Sequence, residues 1–387
     1  MLLPVIYLAF ISMGLPDSVL GATWPSIYQE FDVPFSWAGI ISVLVASMTV
    51  VSSLLSDRLT KKFGAGRVTT VSVAMTAAAI VGFSFGHSMI SLCIWAIPYG
   101  LGAGSIDAAL NNFVALHYAS RHMSWLHCMW GVGASVGPYI MSSALKAGHN
   151  WNTGYRWISY IQIVITFILI MSLPLWKKQK LAVAESKDAP KMEKPIPLKE
   201  VVKIPGAKSV MLAFFCYCAV ESTTGLWAAS YLTLNYSVSA KRAAAFAALM
   251  FIGVTVGRAL NGFLTFKLSD RQLIFGGASI VAICLIVLML PLHNVNVALA
   301  AILGIGFGCA PIYPCIIHST PAHFGAEKSQ ALIGVQMASA YVGVTVVPPI
   351  FGFLARHITI ALFPYFLAVI LVLMLVMYIN LERTTKS

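Results

Sequence analysis

Charged residues are scarce in this sequence. Only 10% of the 387 residues are Asp, Glu, Lys or Arg, whereas 59% are hydrophobic. An ordinary soluble domain has about a quarter charged residues and about 45–50% apolar ones. The shortage of charge argues against a soluble fold and predicts an all-α polytopic membrane protein. The first apolar segment also lacks a small-residue cleavage site, so we expect it to be retained as a span.

Cysteine patterns that would hold a metal or a disulfide framework are missing as well. The sequence has seven cysteines, an odd number, and all of them fall in apolar segments. No Cys-x-x-Cys pair is accompanied by matching histidines. We therefore expect buried free thiols, with no metal site and no disulfide framework.

Long polar stretches are missing except in one place. Twelve apolar segments approach the ~20 residues that a helix needs to cross a bilayer. The one long polar connection, 177–207, is rich in lysine and separates six spans from six. We predict a six-helix bundle over 1–176, a cytoplasmic linker over 177–207 and a second six-helix bundle over 208–387. The predicted spans are 3–28, 36–56, 68–86, 89–117, 123–146, 155–176, 208–234, 242–265, 272–291, 294–318, 328–355 and 358–381.

The net charge of +12 follows the membrane topology and does not indicate nucleic-acid binding. With both termini and the linker in the cytoplasm, 19 of the 25 Lys and Arg residues lie inside and five outside. This asymmetry obeys the positive-inside rule. A nucleic-acid role would need a basic face on a soluble fold, which the sequence lacks. The expected surroundings are a lipid bilayer, for which a bacterial inner membrane is our hypothesis, and we expect a monomer.

The two predicted bundles resemble each other in sequence. The stretch "MTVVSSLLSDRLTKK" at 48–62 aligns with "VTVGRALNGFLTFKL" at 254–268, and "YGLGAGSID" at 99–107 aligns with "GIGFGCAPIY" at 304–313. The shift is about 205 residues each time. Two pseudo-symmetric six-helix repeats are typical of secondary transporters, whose substrate site lies between the halves near the membrane midplane.

Three acidic residues lie near the middle of predicted spans: Asp17 in the first, Asp107 in the fourth and Glu221 in the seventh. A charged group in hydrocarbon costs at least about 2.5–3.5 kcal/mol, so each of them invites a functional interpretation. Burial disfavours the charged form of a carboxylate, which lets such a group bind and release a proton. Carboxylates also accept hydrogen bonds strongly, as a sugar hydroxyl requires. For Asp17, a helix cap at the Gly14–Pro16 break is the structural alternative.

Other polar and aromatic groups in the spans are candidates for the same site. Arg258, in the eighth span, can pair an acid, neutralise an anionic substrate or form part of a cytoplasmic gate. Asn111 follows Asp107 by one helical turn and shares its face, which makes it a candidate ligand for a sugar hydroxyl. Aromatic rings can stack on the C–H face of a sugar. The aromatic candidates are Trp130, Trp227, Tyr231 and Tyr313.

No arrangement of catalytic residues emerges, so we predict that the protein is not an enzyme. The glycine strings "GLGAG" (100–104), "GVGASVG" (131–137) and "GIGFG" (304–308) resemble phosphate loops only superficially. They lack a preceding strand and a following Lys-Ser/Thr. Small residues that let membrane helices pack closely explain them better.

Five stretches carry a resemblance to known transporters. "SDRLTKKFGAGR" (56–67) resembles the signature loop between the second and third helices of major-facilitator transporters. "GLPDSVLGATWP" (14–25), "GLGAGSIDAALNNFV" (100–114), "LHCMWGVGASVGP" (126–138) and "YCAVESTTGLWAASYL" (217–232) together resemble the fucose–galactose–glucose:proton symporter group. The resemblance implies proton-coupled sugar uptake without a cofactor, with membrane acids at Asp17, Asp107 and Glu221. The loop signature adds Asp57 and Arg58 to Arg258 as gating candidates.

The sequence therefore predicts a secondary active transporter that carries a monosaccharide and a proton into the cytoplasm by alternating access. We predict Asp107 as the proton carrier and Asp17 as a sugar ligand or second titrating group, and these roles are interchangeable at this point. Three alternatives stay open: a drug or metabolite:proton antiporter, a sodium-coupled sugar transporter, and a membrane receptor or structural protein that does not transport.

Overall fold

The computed structural model describes residues 2–184, 194–238, 240–292 and 294–385, and these residues are almost entirely helical. In a bilayer every backbone N–H and C=O must be satisfied within the protein, which favours helices. The first seven helices are α1 Leu2–Asp17, α2 Val19–Glu30, α3 Ala38–Phe63, α4 Ala65–Ser84, α5 Met89–His117, α6 Ser120–Lys146 and α7 Trp151–Ala184. The others are α8 Leu198–Val201, α9 Ala207–Tyr236, α10 Ala240–Leu264, α11 Asp270–Met289, α12 Val295–Cys309, α13 Ile312–Phe324, α14 Ala326–His357 and α15 Phe363–Thr385.

The prediction of an all-α polytopic membrane protein is confirmed. Among the described residues, ten helices are long and apolar enough to cross a membrane, and two of these spans, Leu2–Glu30 and Val295–Phe324, contain a break. The predicted spans 123–146 and 242–265 lie on α6 and α10. The helix α6 is less apolar than these spans, since Ser, Gly, His and Pro occur along its length. Residues 185–193 of the predicted linker lie outside the described part of the chain.

The contacts between residues divide the chain into two compact units. Unit 1 comprises Met1–Phe113, Leu126–Ile196 and Ala326–Ala338, and unit 2 comprises Val114–Trp125, Pro197–Gly325 and Ser339–Ser387. In unit 1, α4 packs against α7, and α1 packs against both. In unit 2, α9 packs against α10 and α15, and α12 lies between α10 and α11.

Close helix crossings in unit 1 depend on glycine. A Cβ atom at Gly14 of α1 would lie 2.9 Å from the Ala134 backbone nitrogen of α6 and would overlap the Trp130 carbonyl. A Cβ atom at Gly137 would overlap the Leu15 carbonyl in the same way. Small residues allow such backbone-to-backbone packing between membrane helices. The end of α1 is thereby fixed against α6.

This crossing gives a stability prediction. We expect Gly137→Ala to lower the apparent melting temperature in detergent, because overpacking typically costs about 1–3 kcal/mol. The matched control is Gly21→Ala on α2, where a Cβ atom would meet nothing within 4 Å. That change is expected to be neutral or to stabilise by up to about 1 kcal/mol, since Ala is the better helix former. Equal shifts for the two variants would contradict the packing explanation.

Each unit contains a short segment that comes from the other predicted bundle. In unit 1, Ser329 donates to Asn112 Oδ1 over 2.6 Å, and Gln330 donates to Ser56 Oγ over 3.4 Å. In unit 2, Asn261 donates to Ser124 Oγ over 2.7 Å. The segments 114–125 and 326–338 begin 212 residues apart, which is close to the shift of about 205 residues in the predicted repeat.

Candidate functional site

Asp17 lies at the break between α1 and α2, where Pro16 interrupts the helical hydrogen bonds. Proline has no N–H to offer the carbonyl four residues earlier, that of Ser12. Gln162 of α7 satisfies this carbonyl instead, because its Nε2 donates to Ser12 O over 2.5 Å. Ser18, beyond the break, donates its hydroxyl to the Ala134 carbonyl of α6 over 2.5 Å. The break is therefore held by side chains of two neighbouring helices.

The Asp17 carboxylate is exposed and faces two aromatic donors. The Tyr99 hydroxyl of α5 donates to Oδ1 over 2.6 Å, and the Trp130 indole of α6 donates to Oδ2 over 2.7 Å. Both described hydrogen bonds of Asp17 thus come from side chains on other helices, whereas a helix cap would use backbone N–H groups. This geometry favours a site role for Asp17 over the capping alternative.

Asp107 is buried and belongs to a hydrogen-bonded network distinct from the contacts of Asp17. Asn111 donates its amide to Asp107 Oδ1 over 2.7 Å, a contact that their one-turn spacing on α5 allows. The Asn111 amide oxygen is 2.9 Å from His127 Nε2 on α6. Asn111 has no exposed surface (0%). It is therefore placed to connect Asp107 to His127, and its burial argues against the predicted contact with a sugar hydroxyl.

The candidate acids Asp17, on α1, and Asp107, on α5, lie at different levels along α5. Asp17 contacts Tyr99, which precedes Asp107 by two helical turns, or about 12 Å along the axis. On α6, His127 and Trp130 are three residues apart and share a face. One face of α6 therefore contacts Asp17 directly and reaches Asp107 through Asn111.

Glu221 and Arg258 form an ion pair in unit 2. Arg258 Nη2 lies 3.4 Å from Glu221 Oε2, and the Arg258 side chain is almost fully buried. The Tyr217 hydroxyl lies within hydrogen-bond distance of two acceptors, Glu221 Oε2 and, at 3.0 Å, the Cys309 carbonyl, and its one hydrogen can be donated to either. That carbonyl is available because the helix breaks between α12 and α13. Of the three roles considered for Arg258, the structure shows the pairing of an acid.

Three of the four aromatic candidates are partly exposed. Trp130 and Tyr313 are partly exposed, and the Tyr313 ring lies 5.8 Å from the Arg258 guanidinium carbon. Trp227 is partly exposed but donates to the Pro348 carbonyl over 2.9 Å and packs on Phe351.

Tyr231 was also predicted as a substrate contact, and its environment does not support that role. Only 1% of Tyr231 is exposed, and its ring packs against Tyr236 and Phe363. Its hydroxyl lies 3.3 Å from the Leu288 carbonyl. This placement is that of a core aromatic residue.

The gating candidates of the signature loop lie at the end of α3. Asp57 is buried, pairs with Lys61 at 3.0 Å and accepts from the Ile196 backbone N–H over 3.0 Å. Arg58 is exposed. Asp57 therefore anchors the chain that follows residues 185–193, a role that the sequence did not indicate.

Two residues that help to build the site were not predicted from the sequence. Tyr217 donates to Glu221 and Gln162 donates to the Ser12 carbonyl, and each is an ordinary polar residue in an apolar helix. For Tyr217 the signal was its one-turn spacing from Glu221. For Gln162 no local signal existed, since its partner is 150 residues away. Within the described residues, no three His, Cys, Asp or Glu side chains cluster in a way that could hold a metal ion.

Comparisons with known proteins place the chain among transporters. It is 21% identical to the glucose/mannose transporter GlcP of Bacillus subtilis over 98% of this chain and 94% of that protein. It is 21% identical to the cis,cis-muconate transport protein of Acinetobacter baylyi over 92% of this chain and 87% of that protein. A match to the yeast bypass of stop codon protein 6 is 25% identical over 68% of this chain, and spans 56% of the yeast protein.

Solved structures share the fold. The outward conformation of FucP, the fucose:proton symporter of E. coli, superposes with a TM-score of 0.77 at 14% identity over 97% of this chain and 98% of that chain. The proton:xylose symporter XylE bound to 6-bromo-6-deoxy-D-glucose gives a TM-score of 0.77 at 13% identity over 97% and 94%. At these identities the likeness concerns the fold alone.

The family pattern covers nearly the whole chain. The Major Facilitator Superfamily pattern matches residues 6–335 and 210–387. This confirms the predicted resemblance and the prediction that the protein is a transporter and not an enzyme. The chain belongs to the Major Facilitator Superfamily.

Proposed function

We propose that this protein is a proton-coupled symporter of a monosaccharide that works by alternating access. The observation that carries the proposal is the exposed Asp17 carboxylate between the Tyr99 hydroxyl and the Trp130 indole, midway along a membrane span. A carboxylate accepts strongly from sugar hydroxyls. An indole offers an apolar face to sugar C–H groups beside a polar N–H. An acid flanked by aromatic rings therefore suits a polar, uncharged ring.

The charges within the spans favour a neutral substrate over an anion. Arg258, the one Lys or Arg away from the ends of the predicted spans, is engaged by Glu221 in unit 2. An anionic substrate needs a positive partner, because an unpaired buried charge is costly. Of the relatives, GlcP is named for hexoses and the muconate transport protein for a dicarboxylate. The Glu221–Arg258 pair supports the first of these substrate classes.

The candidate acids of unit 1, Asp17 and Asp107, suit different tasks. Asp17 is exposed and held by donors that a substrate can replace, so we assign it to the sugar. Asp107 is buried beside Asn111, and burial disfavours its charged form, so we assign it to the proton. Glu221 is engaged by the Arg258 guanidinium and the Tyr217 hydroxyl, so we assign it to neither task. A proton gradient is then the driving force, and sodium is the rival ion.

Uptake into proteoliposomes tests this proposal. The probes are labelled glucose, mannose, fucose and xylose, with muconate as an anion, each under an inward proton gradient or an inward sodium gradient. We expect at least one monosaccharide to accumulate under the proton gradient, and muconate not to accumulate. The control is the same lipid without protein. Accumulation of muconate alone, or accumulation driven by sodium alone, would contradict the proposal.

A further inference from the structure

A buried histidine completes the hydrogen-bonded chain that contains Asp107. His127 Nε2 on α6 lies 2.9 Å from Asn111 Oδ1, and Asn111 Nδ2 donates to Asp107 Oδ1 over 2.7 Å. All three side chains are buried. Phe10 of α1 packs edge-to-face on the His127 ring, with 5.3 Å between the centroids. A buried network of this kind is rigid, because breaking one bond leaves a polar group unsatisfied.

The chemistry of the three groups determines the direction of each bond. An ionised carboxylate can only accept, so Asp107 turns the N–H of the Asn111 amide towards itself. The amide oxygen then faces His127, whose Nε2 must carry a hydrogen in order to donate. His127 thus holds Asn111 in the orientation that stabilises the charged form of Asp107.

We infer that His127 is a positioning residue of the proton site, which controls through Asn111 how readily Asp107 releases its proton. This inference rests on the proposed proton coupling through Asp107. When Asp107 takes up a proton, the Asn111 oxygen can accept from the new O–H only if the amide flips, and the flip would turn its NH2 group towards the His127 N–H, donor against donor. The His127 N–H therefore opposes proton uptake and favours release. The proton itself passes between water and Asp107, and His127 keeps its own.

Three further side chains lie close to the hydrogen-bonded chain of Asp107, Asn111 and His127, and the test allows for each of them. Asp17 accepts from Trp130 on the same face of α6, and Met337 Sδ lies 3.9 Å from Asn111 Nδ2. Cys128, next to His127 on α6, is a buried thiol. The variants leave Asp17 and Met337 unchanged, and Cys128→Ser serves as the matched control on the same helix.

The experiment compares His127→Leu, which has no donor, with His127→Gln, whose amide N–H can still donate to Asn111. The readout is the pH at which substrate exchange in proteoliposomes is half-maximal. We expect His127→Leu to move this midpoint upwards by about one pH unit, because the charged form of Asp107 loses support. We expect His127→Gln and Cys128→Ser to keep the wild-type midpoint. If His127→Leu does not fold, His127→Met replaces it, because methionine is unbranched and also lacks an N–H.

Two results would overturn the inference. Wild-type midpoints for both His127→Leu and His127→Gln would show that His127 contributes only to packing. Equal shifts for both would show that the imidazole itself titrates. The wild type is measured first, and a wild type that does not accumulate sugar under a proton gradient would overturn the proposed coupling instead, before any variant is compared.

Discussion

Asp107→Asn is expected to abolish accumulation of the sugar under a proton gradient, while exchange of labelled for unlabelled sugar between equal pools survives. The asparagine can still accept from Asn111, so the local geometry is preserved, but it cannot bind a transportable proton. A gradient of one pH unit stores about 1.4 kcal/mol per proton, which supports about tenfold accumulation for one proton per sugar. The variant should reduce that ratio to about one.

The matched control for Asp107→Asn is Glu30→Gln, the same carboxylate-to-amide change at the exposed end of α2. Glu30 accepts from the Trp151 indole over 2.6 Å. Because it lies at the end of a span, Glu30→Gln should retain gradient-driven accumulation. If Asp107→Asn accumulates sugar as well as the wild type does, the proton is carried elsewhere, and Asp17 becomes the first residue to examine.

Asp17→Asn is expected to weaken sugar binding itself by about 10–100-fold, which corresponds to about 1.5–3 kcal/mol for hydrogen bonds to a charged group. An asparagine offers one oxygen, so it cannot accept from both Tyr99 and Trp130 as the carboxylate does. It also loses the charge that strengthens bonds from sugar hydroxyls. Exchange as well as accumulation should therefore fall, unlike the result expected for Asp107→Asn.

The measurement for Asp17→Asn is the dissociation constant in detergent, from isothermal titration with the transported sugar. Tyr99→Phe removes one donor and keeps the ring, and should cost only a few-fold, about 0.5–1.5 kcal/mol. An unchanged dissociation constant for Asp17→Asn would remove Asp17 from the sugar site, and would reopen the assignment of the two acids.

The sequence predicted the features that depend on local pattern. Apolar length located the helices, because the bilayer requires about 20 apolar residues per span. The one-turn spacing of Asp107 and Asn111 predicted that they share a helix face, and on that face they form a hydrogen bond.

Features that depend on tertiary contacts were not predictable in the same way. Nothing near Arg258 in sequence indicated Glu221, which is 37 residues away, as its partner. The burial of Tyr231 and Asn111 likewise depends on which neighbours pack against each helix face. Composition could show that an aromatic ring lies in a span, but not which of its faces is covered.

The segments 114–125 and 326–338 have a consequence for the order in which the protein is made. Unit 1 includes residues 326–338, so a ribosome that has completed α7 has not yet supplied all of unit 1. Ser56 and Asn112 are synthesised 274 and 217 residues before their partners Gln330 and Ser329, a delay of about 10–55 seconds at about 5–20 residues per second. The nascent first helices therefore cannot reach their final packing during their own insertion, and the last step in assembling unit 1 belongs to the second half of translation.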